Sequence, residues 1–239
     1  MSTRVLLLDA DGNLFPSEEP AFEASTEVTN RFLFEHGIPR SFTADELRRA
    51  AVGRNFRATV TDLATEAGVV VADDVLEGWV TEERRAVTAH LAAVLRPDQR
   101  VLEPLERLAA RFELAAVSSS ALSRLAACFA ATGLDDLIPP ERRFSAEDSL
   151  PAPASKPDPA VYIHAGRVLG VSGDEGLAVE DAVAGVRSAA GAGFPCVGNL
   201  LFVPDDERDE RAAALQAWGA HALVEDWAAL EERLASARA

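Results

Sequence analysis

The stretch Val5–Asn13, VLLLDADGN, decides the fold. Four consecutive aliphatic residues, Val5 to Leu8, read as a strand buried on both faces, and such strands belong to parallel sheets covered by helices. The run stops at two carboxylates, Asp9 and Asp11, and then a glycine, Gly12. Two carboxylates at one strand end repel each other, so the arrangement costs free energy unless a cation or a chemical task offsets it. In open α/β sheets ligands bind where strand ends meet loops. The rest of the chain is therefore read for what it brings to that edge.

Downstream, strand and helix patterns alternate. Leu102–Arg111 is helical, Leu114–Val117 is an apolar strand, and Ala121–Thr132 is helical with Gly133 as its stop. Pro159–Leu169 is a helix followed by Gly170, Leu177–Val179 a short strand, Ala182–Ala192 a helix, and Pro195–Val197 a strand. Ala222–Val224 precedes a last helix from Trp227. This alternation predicts a doubly wound, parallel, Rossmann-like α/β core. Residues 16–95 break the pattern and read as all helical. Phe22, Val28, Phe32 and Leu33 have helical spacing before Gly37, Thr43 and Glu46 form a capping box, and further helices cover Asn55–Ala67 and Asp73–Ala93. The predicted organisation is a core of residues 1–15 and 96–239 carrying an inserted helical module, 16–95. Phe15–Pro20 and Leu95–Arg100 are the expected hinges, Asp148–Ser155 (DSLPAPAS) a loop, and Pro204–Arg211 (PDDERDER) a solvated charge run.

Bulk properties narrow the function. A net charge of −16 over 239 residues repels nucleic acid and anionic membrane as main partners, but leaves room for a small anionic substrate met by local cations. The two cysteines, Cys128 and Cys196, lack metal-ligand spacing and read as reduced, buried thiols of a cytoplasmic protein. No basic-then-apolar leader and no apolar run of about 18 residues is present. His36, His90, His164 and His221 carry no motif and read as helix surface or satisfied core, and Trp79, Trp218 and Trp227 read as packing residues.

The predicted strand ends gather one constellation. Asp9, Asp11 and Gly12 follow the first strand; Ser118, Ser119 and Ser120 follow Leu114–Val117; Glu180 and Asp181 follow Leu177–Val179; Lys156 opens KPDP before a helix. Clustered carboxylates without His or Cys suit magnesium. A carboxylate can also serve as a nucleophile toward phosphorus, and a second one as general acid and base. A metal ion and Lys156 would neutralise charge on a transferring phosphoryl group.

With DADGN at 9–13, SSS at 118–120, KPDP at 156–159 and EDAVAGVRSAAGAG at 180–193, in that order, the chain resembles the haloacid dehalogenase superfamily over essentially its whole length. The position and size of the insert resemble the helical cap of the subfamily containing phosphoglycolate phosphatase, β-phosphoglucomutase and sugar-phosphate phosphatases. The resemblance implies Asp9 as nucleophile and Asp11 as acid–base. It implies Ser118 and Lys156 as holders of the phosphoryl group, with Gly12 and Ser119 beside the substrate. It also implies a magnesium ion on the Asp9 carboxylate, the Asp11 carbonyl and Asp181, with Glu180 close by or acting through water. Asp11 argues against a dehalogenase, since the haloacid dehalogenases themselves lack this second aspartate. Two departures stand out: Asn13 replaces the usual threonine, and Pro16 replaces an acidic residue of the following stretch. Asn13 can still hydrogen-bond as a turn residue, and Pro16 stiffens the hinge.

In the insert, Arg54 and Arg57 of VGRNFRATV are candidates for a second anionic or polyhydroxyl part of the substrate. The cap arginine of β-phosphoglucomutase aligns with Phe56, one residue before Arg57, and that shift turns a helical side chain by about 100°. The reading is a magnesium-dependent phosphatase acting on a small phosphorylated metabolite, such as a sugar phosphate. A phosphomutase is the alternative, and a catalytically silent binding protein on the same fold is a third.

Overall fold

The computed structural model describes residues 3–51 and 55–236. The chain divides into two compact units: Met1–Pro16 with Leu95–Ala239, and Ser17–Val94.

The first unit is built on a six-stranded sheet in which every pairing is parallel. Its strands are β1 (Val5–Leu8), β2 (Glu113–Ser118), β3 (Arg143–Ser145), β4 (Gly176–Glu180), β5 (Cys196–Asn199) and β6 (Ala220–Val224), in spatial order β3-β2-β1-β4-β5-β6. All four residues of β1 are fully buried. Val5 and Leu7 join an apolar cluster with Val161, Tyr162, Ala165, Val186 and Phe194. Leu6 and Leu8 alternate to the opposite face, as strand geometry requires, and are equally buried. Leu8 pairs with Ala116 of β2 and Val179 of β4. The chain runs outward from β1 through β2 to β3, then returns to lay β4 beside β1. The topological switch point therefore lies between β1 and β4, and in such sheets the ligand crevice opens there.

The second unit contains four helices among its described residues: α1 (Glu18–Glu35), α2 (Ala44–Ala50), α3 (Phe56–Glu66) and α4 (Asp73–Val94). Phe32, Leu33, Ile38, Val60, Leu63 and Ala64 form its core, and Trp79 meets Phe32 edge to face at 5.7 Å. The Thr43–Glu46 capping box starts α2, and Asn55 caps α3 through Ala58 N–H at 2.9 Å.

Back in the sheet unit the helices are α5 (Gln99–Ala109), α6 (Leu122–Thr132), α7 (Ala160–Leu169), α8 (Val183–Gly191), α9 (Arg208–Ala217) and α10 (Trp227–Ser236). Two sequence expectations need correction, and one short element had no counterpart in the sequence reading. The three-residue edge strand β3 was not foreseen, being too short for a period to register. The charge run Pro204–Arg211 is not wholly solvated surface: its last residues enter α9, which buries Leu215 and turns Arg211 inward. Trp218 is half exposed beneath the Arg187 guanidinium rather than packed in the core, whereas Trp227 is fully buried. No helix among the described residues is long and apolar enough to cross a membrane.

Candidate active site

The loop after β1 is shaped by its turn chemistry. Gly12 has φ +77°, a left-handed conformation that favours glycine. Its N–H donates to Phe15 O at 3.0 Å, and a Cβ there would overlap the Asp181 carboxylate. The visible part Gly12 plays is thus steric: it lets the loop after β1 close against the end of β4. Asn13, where the family pattern has threonine, is completely buried. Its Nδ2 donates to Asp9 O at 3.0 Å and Val179 O at 3.1 Å, and its Oδ1 accepts from Asn199 Nδ2 at 2.9 Å. Asn13 therefore ties the ends of β1, β4 and β5 together.

At the switch point Asp9, Glu180 and Asp181 each offer a carboxylate oxygen within 4.8 Å of one another, and all three are buried. Lys156 enters from the turn before α7. Its ammonium donates to Asp9 Oδ1, to Glu180 Oε1 at 2.7 Å and to Val117 O at 2.7 Å. Glu180 Oε1 also accepts from Tyr162 OH on α7. Gly185 leaves room for this carboxylate, since a Cβ there would collide with it.

Burial dominates the electrostatics. It pushes the Asp9 carboxyl above its usual range, with Lys156 opposing and Asp11 adding. It pushes Glu180 up to about 7, again against Lys156, with Asp9 adding. It raises Asp181 well above its usual value, reinforced by Asp9 and Glu180 and opposed by Arg211. For Lys156 burial acts downward, but the Asp9 and Glu180 charges outweigh it, so the ammonium stays protonated.

These residues fit a divalent cation. Asp181 Oδ1 is buried and accepts no hydrogen bond, a costly state for a carboxylate oxygen. With all three carboxylates ionised, one ammonium leaves two negative charges, which one divalent ion balances. The donors are all hard oxygens, the set that magnesium takes. Arg211 Nη1 donates to the Asp181 carbonyl at 3.1 Å, which holds that turn from α9.

Asp11 is handled separately. Its Oδ2 accepts from Ser120 Oγ at 2.7 Å and its Oδ1 from Arg124 Nη2 at 3.2 Å. Its carboxylate is not part of the buried trio. Ser118 is buried, and its Oγ accepts from Ser120 N–H at 3.0 Å. Ser119 Oγ accepts from Lys156 N–H at 3.1 Å, which ties the loop after β2 to the KPDP turn. The sheet edge thus assembles Asp9, Lys156, Ser118, Ser119, Glu180 and Asp181, with Asp11 and Gly12 on the adjoining loop.

Arg57, on α3, forms a 2.5 Å ion pair with Glu77 of α4 inside the helical unit. Arg54 lies outside the described residues. Tyr162, Arg124 and Arg211 lie outside the motifs that sequence reading gathered, whereas Ser120 was among them. Tyr162 had a weak signal, as the chain's one tyrosine placed just after KPDP.

Residues 3–193 match the haloacid dehalogenase-like hydrolase family. The chain is 31% identical over 200 residues to the validoxylamine A 7′-phosphate phosphatase of Streptomyces hygroscopicus subsp. limoneus, an overlap of 82% of this chain and 84% of that protein. It is 33% identical over 148 residues to a haloacid dehalogenase-like hydrolase domain-containing protein of Arabidopsis thaliana. That overlap takes in 59% of this chain and 44% of the plant protein, so the chain spans less than half of that relative's length. Among solved structures, a HAD family hydrolase from Deinococcus radiodurans R1 with bound phosphate and sodium is similar at TM-score 0.69 and 26% identity, over 99% of this chain and 97% of that one.

Proposed function

The chain belongs to the haloacid dehalogenase-like hydrolase family, and on that premise we propose that it is a magnesium-dependent phosphatase of a small phosphorylated metabolite, with a sugar phosphate as the first candidate. The observation that carries this reading is the split between its two aspartates. Asp9 sits among buried carboxylates with Lys156 on one oxygen, while Asp11, two residues on, is held apart by Ser120 and Arg124. A nucleophile and a proton carrier need this separation of environments, because two carboxylates in one shell would be driven to share a proton. The named phosphatase activity of the Streptomyces relative and the phosphate bound in the Deinococcus hydrolase support the same chemistry.

In the proposed reaction an Asp9 carboxylate oxygen attacks phosphorus and the bond from phosphorus to the ester oxygen breaks. Asp11 gives its proton to the departing oxygen. Asp11, now a carboxylate, takes a proton from water as that water attacks phosphorus. The bond to Asp9 then breaks, and inorganic phosphate leaves. Lys156 and the Ser118 hydroxyl hold the phosphoryl oxygens, and Glu180 with Tyr162 keeps the ammonium in place. Asp9, Asp181 and the Asp11 carbonyl would hold magnesium, with Glu180 beside them; when bound, the ion supplies charge neutralisation for the phosphoryl group.

Arg57 is occupied by Glu77, which weighs against its serving as the second phosphate clamp that a mutase needs. The test is release of inorganic phosphate from a panel of phosphorylated metabolites, measured with magnesium and with excess chelator. Magnesium-dependent release from one member or a few is expected. Interconversion of phosphate positions without release, or no turnover of any ester, would overturn the reading.

A further inference from the structure

Asp11 lies on the loop after β1, yet both of its carboxylate oxygens are engaged from the loop and helix after β2. Ser120 Oγ donates to Oδ2 at 2.7 Å, and Arg124 Nη2 donates to Oδ1 at 3.2 Å. Ser120 lies in the loop before α6 and Arg124 in the first turn of that helix, so the loop and the helix each supply one donor. Arg124 is three-quarters buried, and its Nε is buried without a hydrogen-bond partner. A guanidinium buried to this extent and turned onto a carboxylate gives up hydration that it would keep at the surface. Cys128, one turn further along α6, is buried against the same cluster, and burial pushes its thiol up to about 12, so it brings no competing charge.

A carboxylate alone is poorly fixed. Its terminal torsion is broad and two-fold rather than confined to three wells. Proton transfer to a leaving oxygen needs hydrogen-bond geometry, and a displacement of about 1 Å can cost roughly a hundredfold in rate. We propose that Arg124, with Ser120, is a positioning residue that sets the orientation of the Asp11 carboxylate for proton transfer to the leaving group, an inference that rests on the phosphatase reading above. The competing account is that the contacts merely anchor the start of α6 to the β1 loop. The two accounts differ in how a lesion depends on the ester.

The test uses p-nitrophenyl, phenyl and benzyl phosphate, which are close in shape but differ in how much their leaving oxygen needs a proton. kcat/KM is measured for wild type, Arg124→Met, Arg124→Lys, Ser120→Ala and, in parallel, Asp11→Asn, with thermal melts of each. Arg124→Met is expected to lose roughly 10- to 100-fold on benzyl phosphate and only a few-fold on p-nitrophenyl phosphate. Arg124→Lys should recover most of the loss, and Ser120→Ala should show the same graded pattern more weakly. A uniform loss across the three esters, or none, would overturn the proposal. Should Arg124→Met fail to fold, the graded pattern in Ser120→Ala and Arg124→Lys decides, and its absence there overturns the proposal equally. Asp11→Asn keeps the two readings apart. If it loses nothing on benzyl phosphate, the phosphatase mechanism itself fails. If it loses heavily while the Arg124 and Ser120 variants lose uniformly, only the positioning role falls.

Discussion

Lys156 in the sheet unit and Arg57 in the helical unit are both cations paired with glutamates, and they behave as opposites. The Lys156 side chain is 6% exposed and its partner Glu180 1%; Arg57 is 40% exposed and Glu77 60%. Burying an ion pair costs desolvation that a surface pair never meets, and replacing such a pair by apolar residues is often neutral or stabilising. A cation held among buried carboxylates is thus hard to explain as a stability device and easy to explain as a site. The exposed pairs Arg57–Glu77, Arg31–Glu82 and Arg40–Glu66 have the character of solvated surface. The helical unit holds together through the apolar cluster around Phe32 and Leu63 instead. The buried pair and the exposed pairs therefore call for different explanations: desolvation makes the first costly, and solvent screening leaves the others worth little to stability.

The comparison breaks most sharply at Asp9. Asp9→Asn keeps the shape but removes the nucleophile, and turnover is expected to fall by more than about a thousandfold with the circular dichroism spectrum unchanged. Asp11→Asn should lose about 10²–10⁴-fold in phosphate release. A variant of Asp9 within tenfold of wild type, in a preparation free of other phosphatases, would remove the buried cluster from the reaction.

Next comes the metal. Chelation is expected to stop turnover and added magnesium to restore it. Asp181→Ala, which removes the buried oxygen lacking a hydrogen-bond partner, should raise the magnesium Kd by at least tenfold in calorimetry, because even supporting groups around a metal are worth about 10- to 100-fold in affinity. Unchanged magnesium affinity would show that the Asp181 oxygen is orphaned for some other reason.

A smaller effect appears in stability against pH. Asp9, Glu180 and Asp181 all have folded pKa values raised above their unfolded ones, chiefly by burial. A raised pKa means that the folded state binds protons more tightly, so the stability it contributes is present at low pH and lost as pH rises through the folded value, about 7 for Glu180. The metal-free protein is therefore expected to melt a few degrees higher at pH 6.5 than at pH 8. Magnesium should flatten or reverse that slope. His221, lowered chiefly by burial, acts in the other direction only near and below pH 6.5. The exposed Glu46, Glu77 and Glu82, lowered by their hydrogen bonds, titrate below this window. A metal-free protein that melts higher at pH 8 would mean the buried carboxylates are compensated in another way.

The smallest effect belongs to the helical unit. Arg57→Ala is expected to leave the melting midpoint nearly unchanged, since its partner is exposed. It should raise KM for the natural substrate a few-fold while leaving p-nitrophenyl phosphate unaffected. An equal change in KM on both esters, or no change on either, would assign Arg57 to the solvated surface altogether.

The sequence by itself determined whatever depends on near neighbours. The strand Val5–Leu8 appears with those bounds because four aliphatic residues can be buried only as a unit. The Thr43–Glu46 capping box formed where its three-residue spacing put it. The order of the four signature stretches already named the strand ends that meet at the crevice. Tertiary structure alone decided which of those groups share an environment. Asp11 is separated by 109 residues from Ser120 and by 113 from Arg124. Asn13 meets Asn199 across 186 residues. Arg211 stood in a run that read as solvent-facing, yet α9 carries it to the carbonyl of Asp181. No local period encodes such meetings: they follow from parallel strand register, which places residues far apart in the chain side by side at one sheet edge. Desolvation follows the same rule. Sequence shows that Asp9, Glu180 and Asp181 are acidic, but only packing on every side turns three ordinary carboxylates into a buried cluster that calls for a cation.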